Sequence, residues 1–519
     1  MSTGSASPLA IIEPRLRWLL PADLYVSVWL DPSPANLTRV FDHLRTIQHA
    51  LYDYMPRDAT RTTMLGAEGN FEWQAGTLMF TDLVGFTTLL ESFAVYGRAG
   101  AEALLTVLND YFAEMIAIIS KAGGNLLEFT GDALLAQFPR HPQQNDDALR
   151  AVRAGLRMQR AMERFQHIAT AHRALSLGMR VGIHSGHYLT ATIGTPRRRE
   201  YVLLGSTVQQ TKQAESMSTV GRVNVSLAVQ AQLGEAFRLE AGTADYALVI
   251  DDLSAEQLGD YDLAPGRRRA PTGLLLDRSV EGLVQSISEM LQRTEQLASY
   301  IPRPILTLLI ESAAERKIRP EFPELTVMFV NLTSVPGVAD TVQGTKEPAL
   351  IAALSQTFAL ISAAVEARGG MLKNVACDHA GSSMLIYFGV PDAHTDDTIR
   401  ATATALVIRE IAARTGAAIA VDSGAEIACQ IGIACGPVFA AEIGEPRGRR
   451  EFNILGDTVN TAARLMARAQ PQQILMTEPV YQAVAARFQC VGLDPIPLKG
   501  KAVPVRLYTL HDWIENERR

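Results

Sequence analysis

Two aspartates are the side chains of this chain whose type and surroundings best suit phosphate chemistry. Asp82 ends a strand-like apolar run, Leu78–Phe80, and the turn Val84-Gly85-Phe86-Thr87 follows it directly. Asp132 stands between two short apolar runs, at the tip of a predicted hairpin. Carboxylate oxygens are ligands that Mg²⁺ prefers, and a glycine turn lets backbone N–H groups approach phosphate oxygens. The pair therefore indicates a cation beside a phosphate, although either aspartate alone is typical of a turn or helix cap.

Periodicity predicts the elements that position these aspartates. A helix follows the turn and is closed by Gly123-Gly124; its apolar face is Leu104, Val107, Leu108, Tyr111, Met115 and Ile119. Strands at Leu126–Phe129 and Leu134–Phe138 flank Asp132. The predicted order then continues with a helix over about 144–166 and strands at Met179–Ile183 and Tyr201–Leu204. This is the βαββαβ order of a ferredoxin-like α+β domain.

The same pattern occurs a second time at a nearly constant separation. Leu325-Thr-Val-Met-Phe-Val-Asn331 matches the stretch that ends at Asp82, and Ser383–Phe388 matches Ala133–Phe138. Three further blocks match as well, namely Gly369-Gly370 with Gly123-Gly124, Ile431–Gly436 with Val181–Gly186, and Ile454–Asn460 with Leu203–Gln209. The chain is therefore predicted to contain two homologous domains in tandem.

Composition and spacing suggest four segments. Residues 1–72 form an N-terminal extension, 73–263 the first domain, 264–322 a linker with an amphipathic helix, and 323–519 the second domain. The linker begins with Pro/Gly-rich sequence, and its helix carries an apolar face, which is more often used for packing than for signalling.

The two copies have lost complementary polar groups. The first copy keeps both aspartates, where the second has Asn331 and Ser382. The second copy keeps polar groups of the other kind, Asn460 and Arg464, one helical turn apart, where the first has Gln209 and Gln213. Arg180 of the first copy corresponds to Gln430, and the second copy also carries Lys499. One composite site between the domains would have both sets of groups, and its symmetry mate would have neither.

With these residues the chain resembles the class III nucleotidyl cyclases. The likeness is greatest to the tandem soluble adenylyl cyclase type, in which Phe-Val-Asn-Leu also replaces the metal motif of the second domain. It covers residues 73–240 and 323–510, and its most specific blocks are those around Asp82 and Asp132 together with Leu455–Arg464. The resemblance implies an intramolecular pseudo-heterodimer that makes cyclic AMP and pyrophosphate from ATP at one composite site.

The resemblance also implies a role for each matched residue. Asp82, Asp132 and the backbone carbonyl of Leu83 would bind two Mg²⁺ or Mn²⁺ ions. Gly85, Phe86 and Thr87 would offer backbone N–H groups to phosphate oxygens. The remaining polar residues would act on the ribose and the phosphates. Asn460 would orient the ribose, Arg464 would stabilise charge on the α-phosphoryl group, and Arg180 and Lys499 would hold the leaving pyrophosphate.

Base choice rests on two further positions. The family's purine-contacting pair falls on Asn453 and on Lys373, although an ungapped count from Ser382 gives Asp378 in place of Lys373. An amide can accept from the adenine amino group and can also donate, so ATP is predicted with guanylyl cyclase as an alternative. A regulatory module that binds ATP without converting it is the alternative from another class. Glu128 and Gln213 stand where the soluble type binds bicarbonate, which predicts insensitivity to bicarbonate.

Bulk properties bound the remaining questions. The chain has 519 residues, a net charge of −7 and four cysteines without CxxC spacing. No nucleic-acid footprint is indicated. The sequence predicts no membrane-spanning segment and no secretory signal, and reduced cysteines fit a cytoplasmic location. Both copies in one chain make a monomer sufficient for activity and leave room for an unidentified regulatory partner.

Overall fold

A computed structural model describes residues 8–56, 59, 71–141, 143, 145–170, 174–259, 277–312, 318–333, 335–341, 346–378, 381–423, 428–445, 448–498 and 503–514. The Pro/Gly-rich start of the predicted linker and Lys499 lie outside these ranges. Among the described residues the two tandem α+β units predicted from the repeat are confirmed.

The N-terminal extension is helical. It contains a 3₁₀ turn at Pro8–Ile11, followed by α1 (Glu13–Leu16), α2 (Ala22–Leu30) and α3 (Pro34–Tyr54). Along α3, apolar side chains such as Leu37, Leu44 and Leu51 are fully buried at helical spacing. The extension therefore packs through an apolar face. The sequence alone did not indicate what this face packs against.

The first domain is built on one eight-stranded sheet, beside which two short strands pair with each other as a separate two-stranded sheet. Its strands are β1 (Phe71–Val84), β2 (Asn125–Thr130), β3 (Ala133–Pro139), the short β4 (Ile168–Ala169) and β5 (Ala174–Leu175), β6 (Gly178–Thr195), β7 (Arg198–Leu204), β8 (Val223–Ser226), β9 (Leu239–Ala241) and β10 (Tyr246–Val249). Its helices are α4 (Phe86–Ala94), α5 (Gly97–Lys121), α6 (Asp147–Ala161), α7 (Ser206–Ser216), α8 (Leu227–Leu233) and α9 (Ala255–Leu258). The strand order is β2-β3-β1-β6-β8-β10-β9, with β7 paired to the end of β6.

Two helices, α10 (Val280–Ala298) and α11 (Arg303–Glu311), precede the second domain. That domain contains β11 (Glu324–Thr333), β12 (Met371–Asp378), β13 (Gly381–Phe388), β14 (Cys429–Pro437), β15 (Phe439–Gly444), β16 (Arg450–Leu455), β17 (Ile474–Thr477), β18 (Phe488–Gly492) and β19 (Leu507–Trp513). Its helices are α12 (Val335–Thr341), α13 (Glu347–Glu366), α14 (Asp397–Ser423), α15 (Asp457–Arg468) and α16 (Glu478–Val484). The sheet order β12-β13-β11-β14-β17-β19-β18 repeats that of the first domain.

Each domain packs a β-hairpin into the core of the other. Phe439, Ala441 and Leu455 of the β15–β16 hairpin are buried in the core of the first domain. The end of β6 and strand β7 are buried in the same way in the core of the second domain, through Leu189, Ile193 and Leu204 among others. This exchange buries apolar surface of both domains. Since burial contributes on the order of 25 cal/mol per Å² of apolar surface, it stabilises their relative position.

A short repeat outside the two domains marks a second exchange. Helix α3 ends at Tyr54-Met55-Pro56, and Tyr300-Ile301-Pro302 follows α10 in the corresponding place. The carbonyl of Tyr54 accepts a bond of 2.7 Å from Arg449 Nη1 of the second domain. The carbonyl of Tyr300 accepts one of 3.1 Å from Arg198 Nη1 of the first domain. The helix before each domain is thus held by an arginine of the other, and α3 also packs along α10.

Two of the described helices, α5 and α13, are long and apolar enough to cross a membrane by length and composition. About half of each apolar window is buried inside the protein. Helix α5 supplies fully buried core residues of the first domain, including Leu104 and Tyr111. The absence of a membrane-spanning segment therefore stays a prediction.

Candidate active site

Asp82 lies near the end of β1, opposite Arg180 of the neighbouring strand β6. Arg180 Nη2 donates to Asp82 Oδ2 over 2.6 Å. Arg180 Nε lies 3.0 Å from Glu215 Oε1 of α7, whose side chain is only 7% exposed. The predicted pyrophosphate ligand is therefore held between two carboxylates, one of which is the predicted metal ligand.

Asp132 occupies the tip of the β2–β3 hairpin, as predicted. Gly131 precedes it with φ of +70°, a backbone conformation that glycine adopts without strain and that turns the chain tightly. Burial, followed by the charge of Asp82, raises the pKa of Asp132 to about 8. The strand end and the hairpin tip thus bring two carboxylates close enough to repel each other.

The turn after Asp82 leads directly into α4. Gly85 has φ of +96°, and a Cβ there would lie 2.8 Å from the carbonyl oxygen of Ser176, so the position needs glycine on both counts. Phe86 is buried and Thr87 is half-buried at the start of the helix. The first N–H groups of a helix have no partner within it, so this end of α4 can donate to an anion beside Asp82.

The polar residues of the second domain project from α15. Asn460 and Arg464 are both half-buried and lie one turn apart on the same face of this helix. Among the described residues, Arg464 makes no hydrogen bond or salt bridge with a carboxylate or any other group. A half-buried guanidinium without a protein anion is suited to an anionic ligand.

Lys373 lies at a bulge in β12, and its side chain is 5% exposed. Its Nζ forms a salt bridge of 2.6 Å with Glu451 of β16. Asn374 pairs with Leu385 as Glu128 pairs with Leu135 in the first domain. By strand register Lys373 therefore corresponds to Leu127 of the first domain, one residue before Glu128. The ungapped alternative, Asp378, lies beside the next turn, opposite Gly381.

Asn453 is 1% exposed and links the two domains. Its Nδ2 donates to the carbonyl of Gly131 over 3.3 Å, and its Oδ1 accepts from the N–H of Ile454 over 3.0 Å. The amide predicted to contact the base thus contacts the turn that carries Asp132. It holds one domain's carboxylate against the other domain.

A cavity of about 180 Å³ lies between the domains, and five of the predicted site residues line it. The first domain contributes Phe86, Gly131 and Asp132 to its wall, and the second contributes Lys373, Asn453 and Asn460. Asp82, Leu83, Gly85, Thr87, Arg180 and Arg464 are not lining residues but adjoin these groups on β1, α4, β6 and α15. Of the predicted site, only Lys499 lies outside the described residues.

The symmetry-related positions carry no charge. Asn331 pairs with Gln430 in the register of Asp82 with Arg180, and its Nδ2 donates to Gln430 Oε1 over 2.8 Å. Within the described residues, Asn331 Oδ1 and Ser382 Oγ are buried without a hydrogen-bond partner. One neutral amide pair thus replaces the charged pair, as the loss of both carboxylates from the sequence predicts.

The donor set suits divalent cations. Two adjacent carboxylates and a backbone carbonyl are hard oxygen ligands, and the mutual repulsion of Asp82 and Asp132 is what a cation relieves. Among the described residues, no group of three His, Cys, Asp or Glu side chains is arranged to hold an ion. Further ligands would therefore have to come from the nucleotide or from water.

Sequence reasoning missed three charged residues near the cavity, of which Lys212 and Glu215 are buried and Glu451 is half-buried. Glu215 contacts Arg180, Glu451 contacts Lys373, and Lys212 of α7 lines the cavity and lies 5.3 Å from the ring centre of Phe80. The only signal for Lys212 and Glu215 was that both fall on the same face of α7 as Thr211 and Ala214, which are buried. Glu451 carried no local signal.

Comparison with known proteins identifies the family of the chain. The family model described as the adenylate and guanylate cyclase catalytic domain matches residues 72–246 and 319–512, which is more than half of the chain. The chain belongs to this cyclase family. Both tandem domains are covered, so the duplication inferred from the internal repeat is a duplication of the cyclase domain.

Similar proteins include cyclases of animals and bacteria. Adenylate cyclase type 10 of Rattus norvegicus is 24% identical over 399 residues, which are 75% of this chain and 24% of that protein. Adenylate cyclase 1 of Rhizobium meliloti is 27% identical over 168 residues, 32% of this chain and 24% of that protein. This chain thus spans about a quarter of the length of the curated relatives it matches.

One solved structure matches both domains together. It is a class III adenylyl cyclase-like ATP-binding protein from Pseudomonas aeruginosa, with a TM-score of 0.54 and 12% identity. The match covers 82% of this chain and 92% of that one. At this identity the match supports the tandem fold alone.

Proposed function

We propose that this cyclase-family chain is an adenylyl cyclase with one active site between its two domains. The observation that carries the proposal is the cavity whose wall joins Asp132 of the first domain to Asn460 and Lys373 of the second. The symmetry-related positions, Asn331 and Ser382, supply no carboxylate.

In the proposed reaction the ribose 3′-oxygen of ATP bonds to the α-phosphorus. The bond from that phosphorus to the oxygen bridging to the β-phosphate breaks, pyrophosphate leaves, and the hydroxyl proton passes to solvent. Asn460 would orient the ribose, which lowers the entropic cost of bringing the reacting atoms into line. Arg464, which has no anionic partner among the described residues, would bind the negative charge that develops on the phosphoryl oxygens.

Two divalent ions, Mg²⁺ or Mn²⁺, would lower the pKa of the ribose hydroxyl and neutralise phosphate charge when bound. Asp82, Asp132 and the Leu83 carbonyl are the residues that would hold them. The N-terminal turn of α4, at Phe86 and Thr87, would donate N–H groups to phosphate oxygens beside them.

The base would lie against the second domain. Lys373 is the cationic donor that the second domain contributes to the cavity wall, and its ammonium group forms a salt bridge of 2.6 Å with Glu451. Because Asn453 uses both ends of its amide on backbone groups, it would have to exchange these bonds in order to contact a base. ATP remains the proposed substrate, with GTP as the competitor to be tested.

Binding of ATP without turnover is a second candidate function. It is favoured by one observation, the bond of 2.6 Å between Arg180 and Asp82, which occupies the carboxylate that a metal needs. A chain in which this pair never opens would bind a nucleotide at Asn460 and Lys373 and leave it intact.

Product analysis separates these functions. The purified chain is incubated with ATP or with GTP, each with Mg²⁺ or Mn²⁺, beside an Asp82→Ala variant, and products are identified by mass spectrometry. Cyclic AMP from the native chain and none from the variant is the expected result. Cyclic GMP from GTP, without cyclic AMP from ATP, would show a guanylyl cyclase, and bound but unchanged ATP would show a binding module.

Because both walls of the cavity come from one chain, we also propose that a monomer is sufficient for activity. A cytoplasmic location and insensitivity to bicarbonate belong to the same proposal. The strand register supports the second point, since Leu127, an apolar residue, is the first-domain counterpart of Lys373, where a cation would be needed.

A further inference from the structure

Arg180 is shared by two carboxylates that come from different elements. Its Nη2 contacts Asp82 at the end of β1, and its Nε contacts Glu215 on α7. The side chain of Glu215 is 7% exposed and that of Asp82 is 28% exposed. Glu215 is therefore the more buried of the two partners, and it is attached to a helix that packs on β6.

The second domain lacks all three charges at the matching positions. Asn331 and Gln430 replace the pair of Asp82 and Arg180 in the same strand register. Met466 occupies the position of Glu215, because the same strand glycine approaches each of them. A Cβ on Gly182 would lie 2.0 Å from the nitrogen of Glu215, and a Cβ on its counterpart Gly432 would lie 2.3 Å from the nitrogen of Met466. The glutamate is thus present only where the arginine and the metal carboxylate are present.

This geometry has a consequence for cation binding. Arg180 and a cation would compete for the carboxylate of Asp82, and a guanidinium with one carboxylate partner binds that partner more tightly than a guanidinium with two. When a cation takes Asp82, the released guanidinium still needs an anion, because the Arg180 side chain is only 21% exposed and an unpaired, largely buried charge is unfavourable. Glu215 supplies that anion at Nε and leaves both Nη groups free to turn toward phosphate oxygens.

We propose that Glu215 is a positioning residue that loosens the hold of Arg180 on Asp82 and keeps Arg180 beside the site once a divalent cation binds. This inference rests on the proposed function, since it assigns Asp82 to a cation. It concerns the cation and does not need turnover.

Direct binding of Mn²⁺ to the full chain, without nucleotide, tests the proposal. Free Mn²⁺ is measured by electron paramagnetic resonance in the native chain, in Glu215→Gln, in Arg180→Gln and in the double variant. We expect Glu215→Gln to weaken binding about three- to tenfold and Arg180→Gln to strengthen it. In the Arg180→Gln background the effect of Glu215→Gln should fall below about twofold, because the competing guanidinium is gone.

Controls distinguish this role from the loss of any glutamate in the domain and from an effect of the Glu215 charge acting at a distance. Glu114→Gln removes a glutamate that forms a surface salt bridge with Arg164 in the same domain, and it should leave Mn²⁺ binding unchanged. Glu215→Met, with the residue of the second domain, serves if the glutamine variant fails to fold. Equal weakening by Glu215→Gln in both backgrounds would mean that only its charge at a distance matters. That result, or no Mn²⁺ binding by the native chain, overturns the proposal.

The outcomes for the two proposals are separate. If Mn²⁺ binding follows the expected pattern but no cyclic nucleotide is formed, the role of Glu215 stands and the proposed cyclase activity fails. If cyclic AMP is formed while the two variants shift Mn²⁺ affinity in the same direction, the activity stands and the role of Glu215 fails.

Discussion

Replacing Arg449 with methionine should loosen the end of α3 from the second domain. Arg449 is about 8% exposed and carries three bonds: its Nη1 donates to the carbonyls of Tyr54 and Arg450 over 2.7 and 2.9 Å, and its Nη2 donates to Glu451 over 3.2 Å. The guanidinium also lies 5.2 Å from the ring centre of Phe129. Methionine keeps the apolar volume and removes all of these contacts.

The size of the effect follows from what each partner retains. Glu451 keeps its salt bridge with Lys373 at 2.6 Å, so no carboxylate is left unpaired. The Tyr54 hydroxyl keeps its bond of 2.7 Å to Glu442, whereas the Tyr54 carbonyl loses its charged donor. Of the three bonds, only the one to the Tyr54 carbonyl joins Arg449 to α3, and a hydrogen bond from a charged donor contributes about 1.5–3 kcal/mol, so the local free energy of opening should fall by about 2 kcal/mol. Since 1.4 kcal/mol is a factor of ten, amide exchange at the end of α3 should accelerate roughly thirtyfold.

Hydrogen exchange followed by mass spectrometry measures this change in peptides that cover the ends of α3 and α10. Arg198→Met is the mirror experiment, because Arg198 holds Tyr300, and it should accelerate exchange at the end of α10 instead. Arg414→Met, which removes an exposed pair with Glu410, is the control and should change neither. If Arg449→Met accelerated α10 and left α3 unchanged, the crossed arrangement of the two helix ends would be refuted.

Three further predictions concern stability and turnover. Burial raises the pKa of Glu200 to about 7, so the folded chain binds more protons than the unfolded chain between about pH 4.5 and 7. The contribution of Glu200 to stability is therefore full below this window and is lost, by on the order of 3 kcal/mol, as pH rises through it. Urea midpoints at about pH 5 and 7.5 should show a smaller fall for Glu200→Gln than for the native chain. An unchanged pH dependence in the variant would contradict this assignment. Gly182→Ala places a Cβ 2.0 Å from the nitrogen of Glu215 and should lower the free energy of unfolding by about 1–3 kcal/mol. Gly337→Ala, with open space around it, should not lower it, and equal urea midpoints for the two variants would contradict this prediction. Arg464→Ala should lower kcat far more than it raises KM in steady-state assays, and a change in KM alone would show that Arg464 only binds substrate.

Local sequence signals predicted the parts of the fold that short-range physics decides. Helix α5 and the hairpin that carries Asp132 followed from periodicity and from glycine positions, and the tandem order followed from the repeat. Strand β6 was predicted over Met179–Ile183 and extends to Thr195, because the part that packs into the other domain has no separate local signature.

Contacts between the two copies were beyond sequence reasoning. Glu451 and Lys373 are far apart in the chain and meet only because a hairpin of one domain packs against the other. Asn453 was assigned by motif to the base, and the structure shows its amide bound to backbone groups on both sides of the interface. The repeat at Tyr54 and Tyr300 was visible in the sequence, but its crossed docking was not.

Four matched variants test whether the two domains share a single composite site. Asp132→Asn removes a carboxylate of the first domain, and Asn460→Ala removes an amide of the second. Their counterparts, Ser382→Ala and Gln209→Ala, alter the matching positions of the other copy. Cyclic AMP formation from ATP is measured for all four. We expect the first two variants to lose it and the last two to retain it. Loss of activity in the counterparts, or its survival in Asp132→Asn, would contradict a single site shared between the two domains.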